Sequence, residues 1–556
     1  MRRRHEHPVS FISTMAGVLT MALILSAAAP GARAEGPEAS DDIAGLLASV
    51  KAAGGDPVAI SLAEAVRTAV ANNPGLRALS HIPRAARQDI AGAVAAYEPT
   101  LLVDLGVSED SFASHNSLSG NDVVEKTRRW GDVTVSKLTR SGATVDLSWT
   151  NSRSSSNSSF QGLVPQYDPG LGISLEQPLL QDLGGRLTRT TIELARNSSS
   201  GAMATFESEL SAFVYTVITA YWDHTRAGAA LDVERRSFAL ANELVKQNQA
   251  KVDVGLLAPV VVREARAEAA QREEKVLAAE HTLDMAARTL QYTVMFGIDS
   301  GGPRAVRPEQ RHLPEPATLD LEASLRTAAE RRAEVRAAQI AVDSAQLSER
   351  QSRMERLPEL ALVGSYKLAG LAGNAVPLTS IYTGETVTSA FGGSYGDALD
   401  LMTEGDHYSY TVGLTFEVPL SGAAPRAAHA RAEAELAYAR ERLREVLSGV
   451  VLEVERAAGG LASAYQRVAA ARLARQLGEE NLANQRKRYE VGMVTTTDVL
   501  DFQEKLARAL AAEVEAVSDH AGAIAALSLS EGRLLEQYGV TVEVEGDPGL
   551  PWWAKF

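Results

Sequence analysis

The chain carries one pattern twice, and this constrains its fold more than any other feature. Ala65-Val66-Arg67-Thr68-Ala69 aligns with Ser324-Leu325-Arg326-Thr327-Ala328, 259 residues further on. At the same offset Arg77 falls on Arg336 and Pro99 on Pro358. Gly172-Ile173-Ser174-Leu175-Glu176-Gln177-Pro178-Leu179 matches Gly413-Leu414-Thr415-Phe416-Glu417-Val418-Pro419-Leu420 at an offset of 241, and Val254-Gly255-Leu256 matches Val491-Gly492-Met493 at 237. Ala-rich helices match one another by chance, but several matches in one order mark a duplicated unit. The offset shrinks because the first copy holds extra residues between its strands and within its helices.

Six segments follow from this reading. They are a targeting segment (1–34), a leader (35–56), a first repeat (57–300), a Pro- and Gly-rich connector (301–316), a second repeat (317–538) and a tail (539–556). Each repeat opens with two short helices, expected at 62–72 and 75–96 and again at 319–331 and 333–356. Pro99 or Pro358 then bars continuation of the helix. Strands are expected within about 100–180 and 359–420, interrupted by excursions rich in Gly, Ser, Asn and Thr. A helical hairpin closes each repeat, over 190–296 and 426–536. Its first arm runs for roughly 60 residues, a rod on the order of 90 Å at 1.5 Å per residue. Gly255 and Gly492 mark the only breaks, at the tips.

The strands alternate. Val412, Leu414, Phe416 and Val418 interleave with Thr411, Gly413, Thr415 and Glu417; Leu171, Ile173 and Leu175 with Gly172, Ser174 and Glu176. Leu101, Val103, Leu105 and Val107, and then Val145, Leu147 and Trp149, repeat the pattern. Period two marks a half-buried strand and leaves open whether its apolar face meets a protein core or lipid. Three features favour lipid. The segments are about ten residues long, Trp130, Trp149, Tyr366, Tyr408 and Tyr410 are expected on or beside strand ends, and the polar excursions resemble the outer loops of barrels. One chain has too few strands to close a barrel, and lipid tolerates no open edge. Several copies must therefore pool their strands. Between Pro99 and Pro178 the first copy has room for an extra hairpin around Ser141-Gly142, which either extends the outer end or changes the strand count.

Bulk properties exclude other classes. Arg2 to Arg4, an apolar run over Phe11 to Ala29 and Ala32-Arg33-Ala34 predict a secretory signal with cleavage expected before Glu35. No later stretch is long and apolar enough for a membrane-spanning helix. The net charge of −15 argues against nucleic acid as a partner. With 0 cysteines, disulfides, thiolate metal sites and cysteine nucleophiles are excluded. The ten histidines show no ligand spacing, and no Gly-x-Ser-x-Gly hydrolase, metalloprotease, P-loop or dinucleotide fingerprint is expected. No enzyme, cofactor or metal is expected.

At the second tip, Arg488-Tyr489-Glu490-Val491-Gly492-Met493-Val494-Thr495-Thr496-Thr497-Asp498-Val499-Leu500-Asp501 resembles the hairpin-tip motif of TolC-family outer-membrane efflux proteins. The resemblance spans nearly all of the mature chain. It implies an α plus membrane-β fold: a homotrimer in which each chain gives about four strands to a shared 12-stranded barrel standing on a periplasmic α-helical barrel. It implies partners as well, namely outer-membrane lipid, a periplasmic adaptor and an inner-membrane pump of the resistance-nodulation-division, ABC or major-facilitator type, in an efflux or type I secretion system. Asp498 and Asp501 stand where the family rings its periplasmic entrance with carboxylates. Their spacing puts them on one helix face, though both also suit plain helix-start acids. Tyr489 matches the family's entrance latch. Its acidic and basic counterparts would fall at Val261 and Val494, so closure is expected instead from packing of Leu257, Val261 and Val494. Val254, Gly255, Leu256, Val491, Gly492 and Met493 resemble the adaptor-docking element, although each Gly also suits a simple helix end.

Overall fold

The computed structural model describes residues 58–114, 121–295, 305–309, 320–379, 384–541, 551 and 553. The targeting segment, the leader and most of the connector and tail lie outside the described residues. The chain forms two stacked layers, a sheet at one end and a wall of long helices beneath it.

The helical layer is built from the repeats. In the first, α1 (Leu62–Asn72) and α2 (Pro74–Val94) lead to the sheet, and α3 (Arg186–Asp253) and α4 (Pro259–Val294) form the hairpin. In the second, α5 (Leu321–Arg331) and α6 (Ala333–Met354) precede the sheet. A ten-residue helix, α7 (Tyr395–Glu404), lies at its far end, and α8 (Ala423–Glu490) and α9 (Thr496–Ser530) form the second hairpin. A last turn, α10 (Leu534–Gln537), ends the repeat. Local chemistry sets these boundaries. Ser61 Oγ accepts the Glu64 N–H at the start of α1, and Asn73 Oδ1 accepts the Leu76 N–H where Pro74 opens α2.

Both first arms are 68 residues long, about 102 Å of helix. The return arms hold only 36 and 35 residues. The short helices make up the difference, because α4 with α1 and α2, or α9 with α5 and α6, matches the length of one long arm. Four rods of equal length therefore lie side by side. Contacts between neighbours order them as the α2/α1/α4 rod, α3, the α6/α5/α9 rod, and α8. Where the first composite rod is broken, a core of Ile60, Val66, Val214, Val217, Ile218, Tyr221 and Leu290 fills the joint. The parallel pair β1 (Val58–Ile60) and β6 (Val306–Pro308) belongs to it.

The sheet corrects the expected strand number. Among the described residues it contains six long strands where about four were expected: β2 (Thr100–Ala113), β3 (Val123–Leu138), β4 (Thr144–Ser156), β5 (Leu163–Pro178), β7 (Glu359–Ala369) and β11 (Tyr408–Glu417). Their spatial order is β11-β7-β5-β4-β3-β2, with the short β8 (Ala372–Ala375) added to the far end of β5. A separate two-stranded pair, β9 (Leu378–Thr379) with β10 (Thr386–Val387), lies in the same excursion. The extra hairpin of the first copy thus forms β3 and β4 inside the sheet. The four strands of the first copy are 13 to 16 residues long, because pairing runs on through parts of the first two excursions. Pairs such as Asp110↔Lys126 and Glu109↔Thr127 continue the ladder beyond the apolar alternation. In water a ladder needs no apolar face, so composition alone mistakes such strand ends for loops.

Register exposes the logic of the sheet. Leu101, Val135, Leu147, Ile173, Tyr366 and Tyr410 lie opposite one another in a single row across all six strands. The next row is Val103, Val133, Trp149, Leu171, Leu368 and Tyr408. All but Leu171 and Leu368 of these twelve are exposed. On the opposite face one row reads Thr100, Ser136, Asp146, Ser174, Ser365 and Thr411, with Ser174 Oγ donating to Asp146 Oδ2 at 3.1 Å. Trp130 lies on this polar side over Gly106, where an added Cβ would meet its ring at 2.0 Å. Trp130 therefore does not belong to the outward aromatic set. Trp149 does, although it sits mid-strand, and Tyr366 stacks on Tyr408 at 5.9 Å.

Candidate functional site at the hairpin tips

Both hairpins turn in the same way. The Leu256 N–H donates to Lys251 O and the Met493 N–H to Arg488 O, while Gly255 and Gly492 bond back to Val252 O and Tyr489 O. Each glycine sits at φ +79°, the left-handed value that this helix-ending motif demands. A Cβ at either glycine would meet nothing within 4 Å, so the surrounding space is open. The turn explains the glycines and leaves their neighbours unexplained. Val254, Leu256, Val491 and Met493 are 68–74 % exposed, at the extreme end of the molecule and away from any core.

Behind the tips, two buried polar nodes tie the hairpins together, and of their members only Tyr489 was expected from the sequence. Tyr489 donates its hydroxyl to Asn248 Oδ1 on α3 and lies 3.1 Å from Thr496 Oγ1. The Asn248 amide reaches Thr496 Oγ1 at 3.3 Å, and Lys251 Nζ stands 3.8 Å over the Tyr489 ring. Tyr489 therefore bridges the two hairpins, with a neutral amide as its partner. The three apolar residues expected to pack at the entrance do not fall in one cluster. Val494 does join a cluster with Leu244, Leu482, Tyr489, Val499 and Leu506, whereas Leu257 and Val261 lie outside it.

The second node is Arg272 on α4, only 2 % exposed. Its guanidinium donates to Glu268 Oε1 at 2.9 Å on its own helix and to Ser237 O at 3.2 Å on α3. Across the boundary it reaches Gln503 Oε1 at 3.0 Å and Leu500 O at 3.4 Å on α9. The planar fork of Arg suits such divergent acceptors. Nothing local flags Arg272 in the sequence, because its partners come from three helices.

The two carboxylates occupy different settings. Asp498 closes a capping box, its Oδ2 accepting from Thr495 N at 2.8 Å and Thr495 Oγ1 at 2.7 Å. Hydrogen bonds from Thr495 hold its carboxyl below the usual range. The cap therefore stabilises the tip above the ordinary carboxylate pKa, and this is lost as pH falls through the depressed value. Asp501, one turn on, is exposed and pairs with Lys505 Nζ at 2.7 Å.

Two other arrangements have chemical potential. Glu349 on α6 converges with His429 and Glu433, one turn apart on α8. Each imidazole nitrogen faces a different carboxylate, at 3.9 Å and 3.4 Å, and Arg353 already occupies Glu349 Oε1 at 2.6 Å. The group is a charge-paired node between α6 and α8. The chain also holds one Gly-x-Ser-x-Gly string, Gly392 to Gly396. Its Ser394 caps α7 and donates to Asp397 Oδ2 at 2.8 Å, a helix-capping role rather than a nucleophile's.

A family model described as outer membrane efflux protein matches residues 141–293 and 324–533. The chain belongs to the outer membrane efflux protein family. It is accordingly a TolC-like outer-membrane channel of efflux systems, located in the Gram-negative outer membrane with a long periplasmic part. Solved structures agree on the fold. The Campylobacter jejuni CmeC outer membrane channel is 14 % identical, with 85 % of this chain and 86 % of that chain covered at a TM-score of 0.57. The outer membrane protein VceC from Vibrio cholerae is 17 % identical, with 85 % and 96 % covered at 0.58. The open state of the Neisseria gonorrhoeae MtrE outer membrane channel is 18 % identical, with 85 % and 89 % covered at 0.56. No curated protein sequence matches this chain significantly.

The buried nodes give a direct expectation. Replacing Arg272 with Met leaves Gln503 Oε1 and two backbone carbonyls without their donor, at a cost of about 1–3 kcal/mol. Amide exchange over residues 496–503 should rise about tenfold or more in Arg272→Met. Unchanged exchange would show that Arg272 does not hold the hairpins together.

Proposed function

We propose that three copies of this chain form a continuous duct, a barrel in the outer membrane above a periplasmic tunnel of helices, through which an inner-membrane pump and its adaptor expel cargo. One observation carries this reading: both layers are open at the same two edges. β2 follows the α2 rod and β11 runs into α8, so the free sheet edges stand above the outermost rods. Those rods also carry exposed apolar side chains, among them Tyr438, Tyr465 and Leu473 on α8 and Leu277 and Tyr292 on α4. A neighbouring copy would cover edge and flank together.

The tips form the entrance. Val254, Leu256, Val491 and Met493 offer apolar knobs beside glycines that let another backbone approach closely, which suits the helical hairpin of an adaptor. Asp501, and Asp498 through its free oxygen, supply two rings of carboxylates in a trimer, a constriction that attracts cations. The pump is of the resistance-nodulation-division, ABC or major-facilitator type, the ABC case including type I secretion. Cargo choice belongs to the pump, because a wide aqueous duct touches its cargo only weakly.

Deleting the gene should raise cellular accumulation of the pump's cargo, and the intact gene should restore efflux. Leu256→Ser with Met493→Ser should fail to restore it while the trimer still reaches the membrane; full restoration would exclude the tips as the docking element. Asp501→Asn should weaken block of single-channel current by trivalent cations about tenfold, and equal block would remove Asp501 from the ring.

A further inference from the structure

The position of the extra hairpin points to a wider barrel. We infer that β3 and β4 are staves of the membrane wall, so that three copies close an eighteen-stranded barrel whose girth equals that of the helical tunnel beneath it. This inference rests on the trimeric channel proposed above.

Three observations carry it. First, pairing is continuous from Thr100↔Ser136 to Ala113↔Val123 between β2 and β3, and from Thr144↔Glu176 to Ser154↔Gln166 between β4 and β5. No register remains for β2 against β5. Second, the apolar rows run through the hairpin unbroken, with Val133, Val135, Leu147 and Trp149 exposed on the face that carries Ile173 and Tyr366. A hairpin folded over the outer mouth would have no use for that face. Third, the β3–β4 turn is anchored at the helical end of the sheet. Gly142 abuts Gly185, the residue before α3, so closely that a Cβ would meet its backbone nitrogen at 2.8 Å. Lys137 Nζ donates to Tyr97 O at 2.9 Å and to Trp553 O at 2.7 Å, and Ser141 Oγ to Gln177 Oε1 at 3.2 Å. The hairpin therefore spans the full height of the wall.

Geometry gives this a consequence. Strands about 4.8 Å apart and tilted by about 40° each occupy roughly 6 Å of perimeter. Six strands then occupy about 38 Å per chain, and four would occupy about 25 Å. The four helical rods below, at about 9–10 Å between axes, need about 36–40 Å. Six strands fit four rods without a step, whereas four strands would force the duct to narrow at the membrane. The closed barrel has a radius of about 18 Å. Strand direction also closes correctly: β2 runs outward and β11 returns, so each chain's β2 pairs antiparallel with a neighbour's β11. The membrane section is then no narrower than the tunnel, and the hairpin tips alone limit cargo size.

Electron cryo-microscopy of the full mature chain in lipid nanodiscs tests this without any substitution. The expected result is a three-copy ring with eighteen strands, β3 and β4 lying between β2 and β5 in the wall. A three-copy ring of twelve strands, with β2 paired to β5 and the hairpin outside the wall, would overturn the inference and leave the channel reading intact. Particles lacking a closed ring would overturn both.

Discussion

Backbone N–H and C=O groups find no partner in hydrocarbon, and each one left unpaired costs several kcal/mol. This single constraint organises the molecule. The sheet of one chain presents a broad apolar face and two edges, β2 and β11, without a partner strand among the described residues. A face of that kind is stable against lipid, but an edge is not. The helical layer repeats the problem in another form, since its outermost rods keep apolar side chains uncovered. Sister chains answer both needs at once, because sheet edges and helical flanks are aligned along the same boundaries. In the proposed trimer, assembly, membrane insertion and duct formation are consequences of one geometry.

Much of this architecture is legible in the sequence because its signals are periodic. The offset between Val254-Gly255-Leu256 and Val491-Gly492-Met493 reveals the duplication, and Pro99 and Pro358 mark where helix gives way to strand. The outward rows were visible as alternation in Thr411 to Val418 and Leu101 to Val107. What alternation cannot convey is pairing partner. The segments that became β3 and β4 are recognisable as strands, yet only register shows that they separate β2 from β5. Trp130 is a related case. Its ring fills the space over Gly106 on the polar face, a cross-strand fit that no single strand displays.

The tips divide along similar lines. Tyr489 stands out through the motif around it, and its neighbours Gly492 and Asp498 follow from helix-ending and helix-starting chemistry. Asn248 and Arg272 do not stand out, because each lies within a helix and takes its importance from residues more than 200 positions away. These two nodes link the first hairpin to the second through hydrogen bonds shielded from water, where a polar group left alone is costly.

The central claim is that one face of this sheet meets acyl chains while the other lines an aqueous bore. Trp149 and Trp130 lie on opposite faces of neighbouring strands, so they report the two environments separately. Fluorescence of single-tryptophan variants, reconstituted in bilayers with brominated acyl chains, measures this directly. The account predicts strong quenching of Trp149 and little of Trp130. A Trp149 as insensitive to the brominated lipid as Trp130 would contradict it.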